Sequence, residues 1–209
     1  MNSDFGDGTI MKKMVILLTG GIGSGKSTLA RLVSDTIPCY DSDSAVKSFY
    51  VDSHNLLSKV ESALGRSFRK SDGSFDSKAL AQLIFNDAAS LAIVESIIYP
   101  PLMEDFAKWR DEKFLTCDIV LFESATAFYK DHSDKCWDKC IYIDAPKSIR
   151  VVRVCERSGC TEEEALRRMN AQQGPERYMD KIDAIVENDS SPEILKERFM
   201  DALNKICGK

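Results

Sequence analysis

A parallel α/β fold is predicted by three observations. Residues 14–19 (MVILLT) form a short apolar run with β-branched members, the pattern of a strand buried on both faces. This run passes directly into residues 20–27, a G-x-x-x-x-G-K-S sequence, and then into a helix-forming stretch over 27–33. Further strand-like runs alternate with helix-like ones down the chain, which implies right-handed crossovers within one parallel sheet.

The glycine-rich turn carries the first chemical signal. Gly20, Gly21, Gly23 and Gly25 allow positive φ, so successive backbone N–H groups can face one concavity. The helix N-terminus behind it adds partial positive charge, which suits an anion such as a nucleotide phosphate. In this pattern Lys26 reaches the β- and γ-phosphates, and the Ser27 hydroxyl is a ligand for Mg²⁺.

The remaining elements follow in order. Residues 37–40 read as a second strand ending in Asp41-Ser42-Asp43, with Ser42 or Asp43 capping a helix through Tyr50. From 53 to 113 the pattern is helical: Leu56, Leu57, Val60 and Leu64 recur at helical spacing, as do Leu80, Leu83 and Ile84. Ser71-Asp72-Gly73 marks a turn between them, and Pro100-Pro101 predicts a kink or break in the helix that starts near Ala88. About sixty residues without a strand signal, between two strands of one sheet, predict an inserted helical lobe over about 51–115.

Residues 118–123 (DIVLFE) and 139–144 (KCIYID) are strands, the first delivering Glu123 at its C-terminal end. Pro146 opens the next helix, which carries Arg150, Arg153 and Arg157 and breaks at Ser158-Gly159. Thr161 with Glu164 forms a capping box for a helix to Ala171, closed by Gly174-Pro175. A short strand over 184–187 and a terminal helix from Pro192 complete the chain, with a lid predicted over about 158–180.

Composition sets bounds. The 209 residues fit one domain over 14–209, preceded by a disordered leader over 1–13. A net charge of −5 does not recommend nucleic acid as a partner, and no apolar run approaches the roughly 20 residues of a membrane span. Seven scattered cysteines read as reduced thiols of a cytoplasmic protein, and Cys136 with Cys140 lacks a second pair for a zinc site. His54 and His132 stand alone and receive no role. Oligomeric state is left open.

In an open parallel sheet, ligands bind beyond the C-terminal strand ends. The glycine loop, Asp41, Asp43 and Glu123 share that address. Such carboxylates can order Mg²⁺ or accept the proton of an attacking hydroxyl, although Asp41 can equally be a helix cap. The arginines at 150, 153 and 157 lie on one helix side, as a solvated face or as donors of charge to a transferred phosphoryl group from a closing lid. The loop alone leaves kinase, GTPase, transport ATPase and motor open. A guanine-reading Asn-Lys-x-Asp is missing, since Asn204-Lys205 continues with Ile206-Cys207, and the length suits a small metabolite kinase.

With these residues in place the chain resembles the dephospho-CoA kinase family from about Val15 to Asp189. The resemblance is carried by residues 18–28 (LTGGIGSGKST), 40–43 (YDSD) at the family's D-x-D, Asp72-Gly73, Leu80 with Ile84-Phe85, Arg153 and Arg157 before Gly159, Ala171-Gln172, and Asp183 with Asn188. It implies a three-layer fold of the P-loop nucleoside-triphosphate-hydrolase type, with a parallel sheet, a helical substrate-binding insert and a lid. The implied reaction is ATP-dependent phosphorylation of the ribose 3′-hydroxyl of dephospho-CoA, giving CoA and ADP, with Mg²⁺. The implied site has Asp43 as general base, Lys26 and Arg157 as catalytic cations, and ATP held by Gly21, Ile22, Gly23, Ser24, Gly25, Lys26, Ser27 and Thr28.

This chain departs from the family pattern at several positions. Tyr99-Pro100 stands for His-Pro, Ser77 for an Arg, Arg150 for a Gln and Ile182 for an Ala, while Glu123 and Tyr129 compete for one Glu position. These departures keep two alternatives: a kinase of another nucleoside, nucleotide or small hydroxyl acceptor, and a non-catalytic nucleotide switch.

Overall fold

The computed structural model describes residues 12–52, 54–127, 136–172, 176 and 178–208. Most of the expected leader, together with Tyr129, His132, Gly174-Pro175 and Arg177, lies outside them. The chain divides into two compact units, residues 1–39 with 112–209 and residues 40–111.

The first unit is built on β1 (Met14–Gly20), β3 (Ile119–Glu123), β4 (Lys139–Asp144) and β5 (Ala184–Glu187). The short β2 (Cys39–Asp41) stands where the chain leaves this unit, and the sheet order is β2-β3-β1-β4-β5. Pairs β1–β3, β1–β4 and β4–β5 are parallel, with Leu18 opposite Glu123 and Gly20 opposite Ile143. That register brings three strand ends level with the start of the glycine loop.

The strands are continuous apolar runs because both their faces are covered. On one face Ile16, Leu18, Leu121, Ile141, Ile143 and Val186 pack with residues of α1 (Lys26–Val33) and α8 (Pro192–Ile206). The alternate residues Val15, Leu17, Val120, Phe122 and Cys140 are buried as well. Each such side chain contributes roughly 1.5–3 kcal/mol on leaving water. A smaller cluster joins α6 (Lys147–Ser158) to α7 (Glu162–Ala171) through Val151, Val154, Ala165 and Met169, with Ile22 packed against it.

The second unit holds α2 (Ser42–Asp52), α3 (His54–Leu64), α4 (Ser77–Asn86) and most of α5 (Ala88–Lys113). Tyr50, Leu57, Val60, Phe68, Leu80, Val94 and Ile98 form its core. Tyr40 belongs to a second aromatic group, edge-on to Phe106 and Trp109, and its hydroxyl donates to Asp105 at 2.6 Å. The unit thus begins at Tyr40 and includes α2.

Several sequence expectations are corrected. The second strand lies at 39–41 rather than 37–40, because the Ile37 N–H closes a turn on Val33 at the end of α1 while its side chain enters the core. Helix α1 starts at Lys26, one residue early, and α6 starts after Pro146 rather than at it. The cap of α2 is Asp41, which accepts from the Ser44 N–H at 2.9 Å and the Ser44 hydroxyl at 2.7 Å, so Ser42 and Asp43 are inside the helix. Helix α5 runs unbroken through Pro100 and Pro101. Val94, Ile98, Leu102 and Phe106, four apart on either side of the prolines, are all buried, and that stripe offsets the roughly 3 kcal/mol an interior proline costs.

Candidate active site

The turn between β1 and α1 has its shape fixed from three sides. Gly23 and Gly25 take φ of 78° and 100°, which no side chain adopts cheaply. Gly21 is not among the positive-φ glycines, which corrects one of the four expectations for the turn. There the Arg150 guanidinium lies 2.2 Å from where a Cβ would stand, so a side chain at Gly21 would have to displace it.

Arg150, on α6, donates from Nε to the Ile22 carbonyl at 2.9 Å. The Ile22 N–H donates in turn to the Gln172 side chain at 2.5 Å, so the end of α7 and the body of α6 hold the same residue of the loop. Deeper in, Asn188 follows the end of β5 and is buried. Its Nδ2 donates to the Ser24 carbonyl at 2.7 Å, and a Cβ on Gly25 would stand 2.1 Å from that nitrogen. Arg153 reaches the Gly23 and Ser24 carbonyls at 3.5 Å each and Asn188 Oδ1 at 3.4 Å.

The anchors from Arg150, Arg153 and Asn188 use loop carbonyls, whereas Gln172 takes the Ile22 N–H and the Ser24 N–H closes on the Gly21 carbonyl at 3.1 Å. Lys26 is buried and lies against the loop, donating from Nζ to the Gly20 and Gly21 carbonyls at 2.8 and 3.3 Å. The Ser24 hydroxyl is buried without a hydrogen-bond partner, an unengaged polar group inside the turn. Ser27, exposed at the start of α1, donates its hydroxyl to Glu123 Oε1 at 2.7 Å. Thr28, the last of the expected ATP-binding residues, is half-buried in the first turn of the same helix.

Of the expected catalytic groups, Lys26 is at the loop and Arg157 is exposed in the last turn of α6, one helical turn beyond Arg153. Asp43 lies in the first turn of α2, in the second unit, exposed and without a hydrogen-bond partner among the described residues. Sequence reasoning gave no structural role to Asn188, Gln172 or the Arg150–Ile22 contact. Asn188 was findable, because it follows a strand end at the same sheet edge. Gln172 was not, since nothing local says where the residue after α7 will point.

Three comparisons bear on this site. A sequence model described as dephospho-CoA kinase matches residues 14–193. The dephospho-CoA kinase of Porphyromonas gingivalis is 36% identical over 162 residues, 77% of this chain and 78% of that one. Among solved structures, TT1252 from Thermus thermophilus superimposes with a TM-score of 0.77 at 29% identity, over 93% of this chain and 98% of that one. Dephospho-CoA kinase from Campylobacter jejuni shares the fold, with a TM-score of 0.62 at 20% identity over 93% and 97% of the two chains. The expected P-loop kinase fold is therefore the observed one. A glycine-rich loop tied down by Arg150, Arg153, Gln172 and Asn188, inside a match that spans most of the sequence, leads to one conclusion: this chain belongs to the dephospho-CoA kinase family.

Proposed function

We propose that this protein transfers the γ-phosphoryl group of ATP to the ribose 3′-hydroxyl of dephospho-CoA, releasing ADP and CoA. The observation that carries the reading is the loop at 20–27, whose Ile22 and Ser24 carbonyls are tied to Arg150, Arg153 and Asn188 beside the start of α1, a turn suited to holding nucleotide phosphates. In the transfer, the 3′-oxygen forms a bond to the γ-phosphorus while the bond to the β,γ-bridging oxygen breaks. The hydroxyl proton passes to the Asp43 carboxylate, and the departing oxygen leaves as part of ADP.

Asp43 suits the base role because Asp41 does the capping, so the Asp43 carboxylate is not engaged by its own helix. Lys26, near the loop carbonyls, can turn toward the β- and γ-phosphates once they arrive. Arg157 is the arginine free to approach a transferred phosphoryl, since Arg150 and Arg153 are engaged with the loop.

Ser27 and Glu123 offer the hard oxygens that suit Mg²⁺, which keeps several waters and phosphate oxygens as ligands. No cluster of three or more His, Cys, Asp or Glu able to hold a metal occurs among the described residues. Held by Ser27 and Glu123, such a cation would supply neutralisation of the nucleotide's phosphate charge. Residues 158–180 act as the lid, and the second unit receives the acceptor. None of the seven cysteines is joined in a disulfide. No described helix is long and apolar enough to cross a membrane.

The test is coupled ADP release with Mg·ATP and dephospho-CoA, alongside a few nucleosides as rival acceptors. Stoichiometric consumption of dephospho-CoA with ADP formation is expected. ADP release that ignores dephospho-CoA, from protein that binds ATP, would sink the reading. Asp43→Asn is expected to lower kcat by about 10²–10⁴ with little change in ATP affinity, as loss of a general base does.

A further inference from the structure

Helix α6 ends in a way that brings two thiols together. Cys155 stands in its last turn, and Gly159 closes the helix at φ of 61°, its N–H donating to the Cys155 carbonyl at 2.8 Å. A left-handed residue at this place turns the chain back, so that the next side chain lies over the final helical turn. That next residue is Cys160. Its Sγ lies 3.9 Å from the Val154 carbonyl, and the Cys155 thiol is hydrogen-bonded to Cys160. Thr161 then caps α7, so the pair sits at the junction of the two helices.

The surroundings suit thiol chemistry. Both cysteines pack against the cluster of Val151, Val154, Ala165 and Met169, yet both stay partly exposed, so a small molecule in solution can reach them. Two sulfurs already in contact need only side-chain rotation to reach disulfide geometry. Burial, reinforced by Cys160, Glu162 and Glu156, holds the Cys155 thiol above its ordinary range. The thiolate is the attacking form, which leaves Cys160 to meet an oxidant first. Once Cys160 is held in a mixed disulfide, it no longer opposes loss of the Cys155 proton. Arg157 lies between the two in sequence, exposed in the same last turn of α6.

We propose that Cys155 and Cys160 are a redox modification site, joined by a reversible disulfide that restrains the start of the lid and lowers turnover. The oxidant is a small-molecule disulfide, RS–SR. The Cys160 thiolate attacks one of its sulfurs, the S–S bond breaks, and the departing RS⁻ takes up the proton that Cys160 lost. The Cys155 thiolate then attacks Cys160 Sγ, and the second RS⁻ leaves with the Cys155 proton. Two cysteine sulfurs are oxidised, and the reagent is reduced to two RSH. The new bond closes residues 155–160 into a ring that contains Arg157 and fixes the turn between α6 and α7. Disulfide formation stands on the thiol geometry alone; its effect on turnover rests on the function given above, through Arg157 and the lid.

The bond is read directly by incubating the wild-type protein with reduced and oxidised glutathione, alkylating the remaining thiols and digesting with trypsin without reductant. Trypsin cuts after Arg153, Arg157 and Arg167, so residues 154–157 and 158–167 part unless Cys155 is joined to Cys160. The linked pair of peptides is expected, and dithiothreitol should separate it. Separately alkylated or glutathione-capped peptides, with no linked pair, overturn the proposal. The kcat of the oxidised protein is expected to fall about tenfold, the scale of a partly misplaced charge donor, and to return on reduction. Cys160→Ser, treated alike, is expected to keep its kcat within about twofold. Unchanged kcat in protein carrying the linked peptides, or an equal loss in Cys160→Ser, overturns control of the lid. If the unoxidised protein turns over no dephospho-CoA, the functional reading fails, while the peptide map still decides whether the disulfide forms.

Discussion

At the scale of single residues, the site depends on side chains that never face the substrate. Asn188 is 4% exposed, and its amide satisfies the Ser24 carbonyl in the middle of the loop. Replacing it with alanine leaves a buried carbonyl without a donor, a cost of about 1–3 kcal/mol. Thermal unfolding of Asn188→Ala is therefore expected several degrees below wild type, with a raised KM for ATP because the loop loses an anchor. A variant with unchanged Tm and ATP KM would show that Asn188 does not hold the loop. Arg150 makes a related point. Arginine stands where the family pattern has glutamine, and its guanidinium occupies the space a side chain on Gly21 would need.

At the scale of elements, α7 illustrates how a short helix is held. Only Ala165 and Met169 are buried, so its stability draws heavily on its first turn. There Thr161 Oγ1 accepts from the Glu164 N–H at 3.3 Å, and Glu164 Oε2 accepts from the Thr161 N–H at 3.1 Å. Thr161→Ala removes half of this capping box and is expected to cost the helix about 1 kcal/mol. In hydrogen exchange, the amides of 162–171 should then exchange about fivefold faster, while those of β1 and β4 keep their rates. Equal acceleration everywhere would mean that α7 opens only with the whole unit. Since Gln172 follows this helix and accepts from the Ile22 N–H, looser capping should also reach the loop. Helix α5 shows the opposite balance, with a buried stripe strong enough to carry two interior prolines.

At the scale of the whole molecule, buried phenols set the alkaline limit of stability. Burial pushes the Tyr50 hydroxyl from an ordinary 10.0 up to about 12. Tyr142 is raised chiefly by burial, and Tyr40 by burial together with its bond to Asp105. For each, the folded state holds its proton at a pH where the unfolded chain has lost it. The resulting stabilisation is fully present below pH 10 and is lost as pH rises from 10 toward the folded values. Denaturant midpoints are therefore expected to fall between pH 10 and 12, and Tyr50→Phe to flatten part of that fall. A midpoint that is flat across this range would contradict the burial of these hydroxyls.

The amino-acid sequence by itself determined the strand alternation, the phosphate loop and the capping box at Thr161, because each is written in neighbouring residues. Burial of β1 follows from its own six apolar or β-branched residues, and the loop from glycines at fixed spacing. It also supplied Glu123, whose place at a strand end put it within reach of Ser27. The tertiary structure decided which groups hold the loop. Arg150, Gln172 and Asn188 lie more than 120 residues from their partners in the chain, and only the crossovers of the parallel sheet bring them there. It decided that Asp41 and not Ser42 or Asp43 caps α2, since two carboxylates two residues apart are locally near-equivalent as caps. It decided, too, that Pro100 and Pro101 leave α5 whole. Local propensity counts only the hydrogen bonds those prolines remove, whereas the folded lobe adds the buried stripe on either side of them.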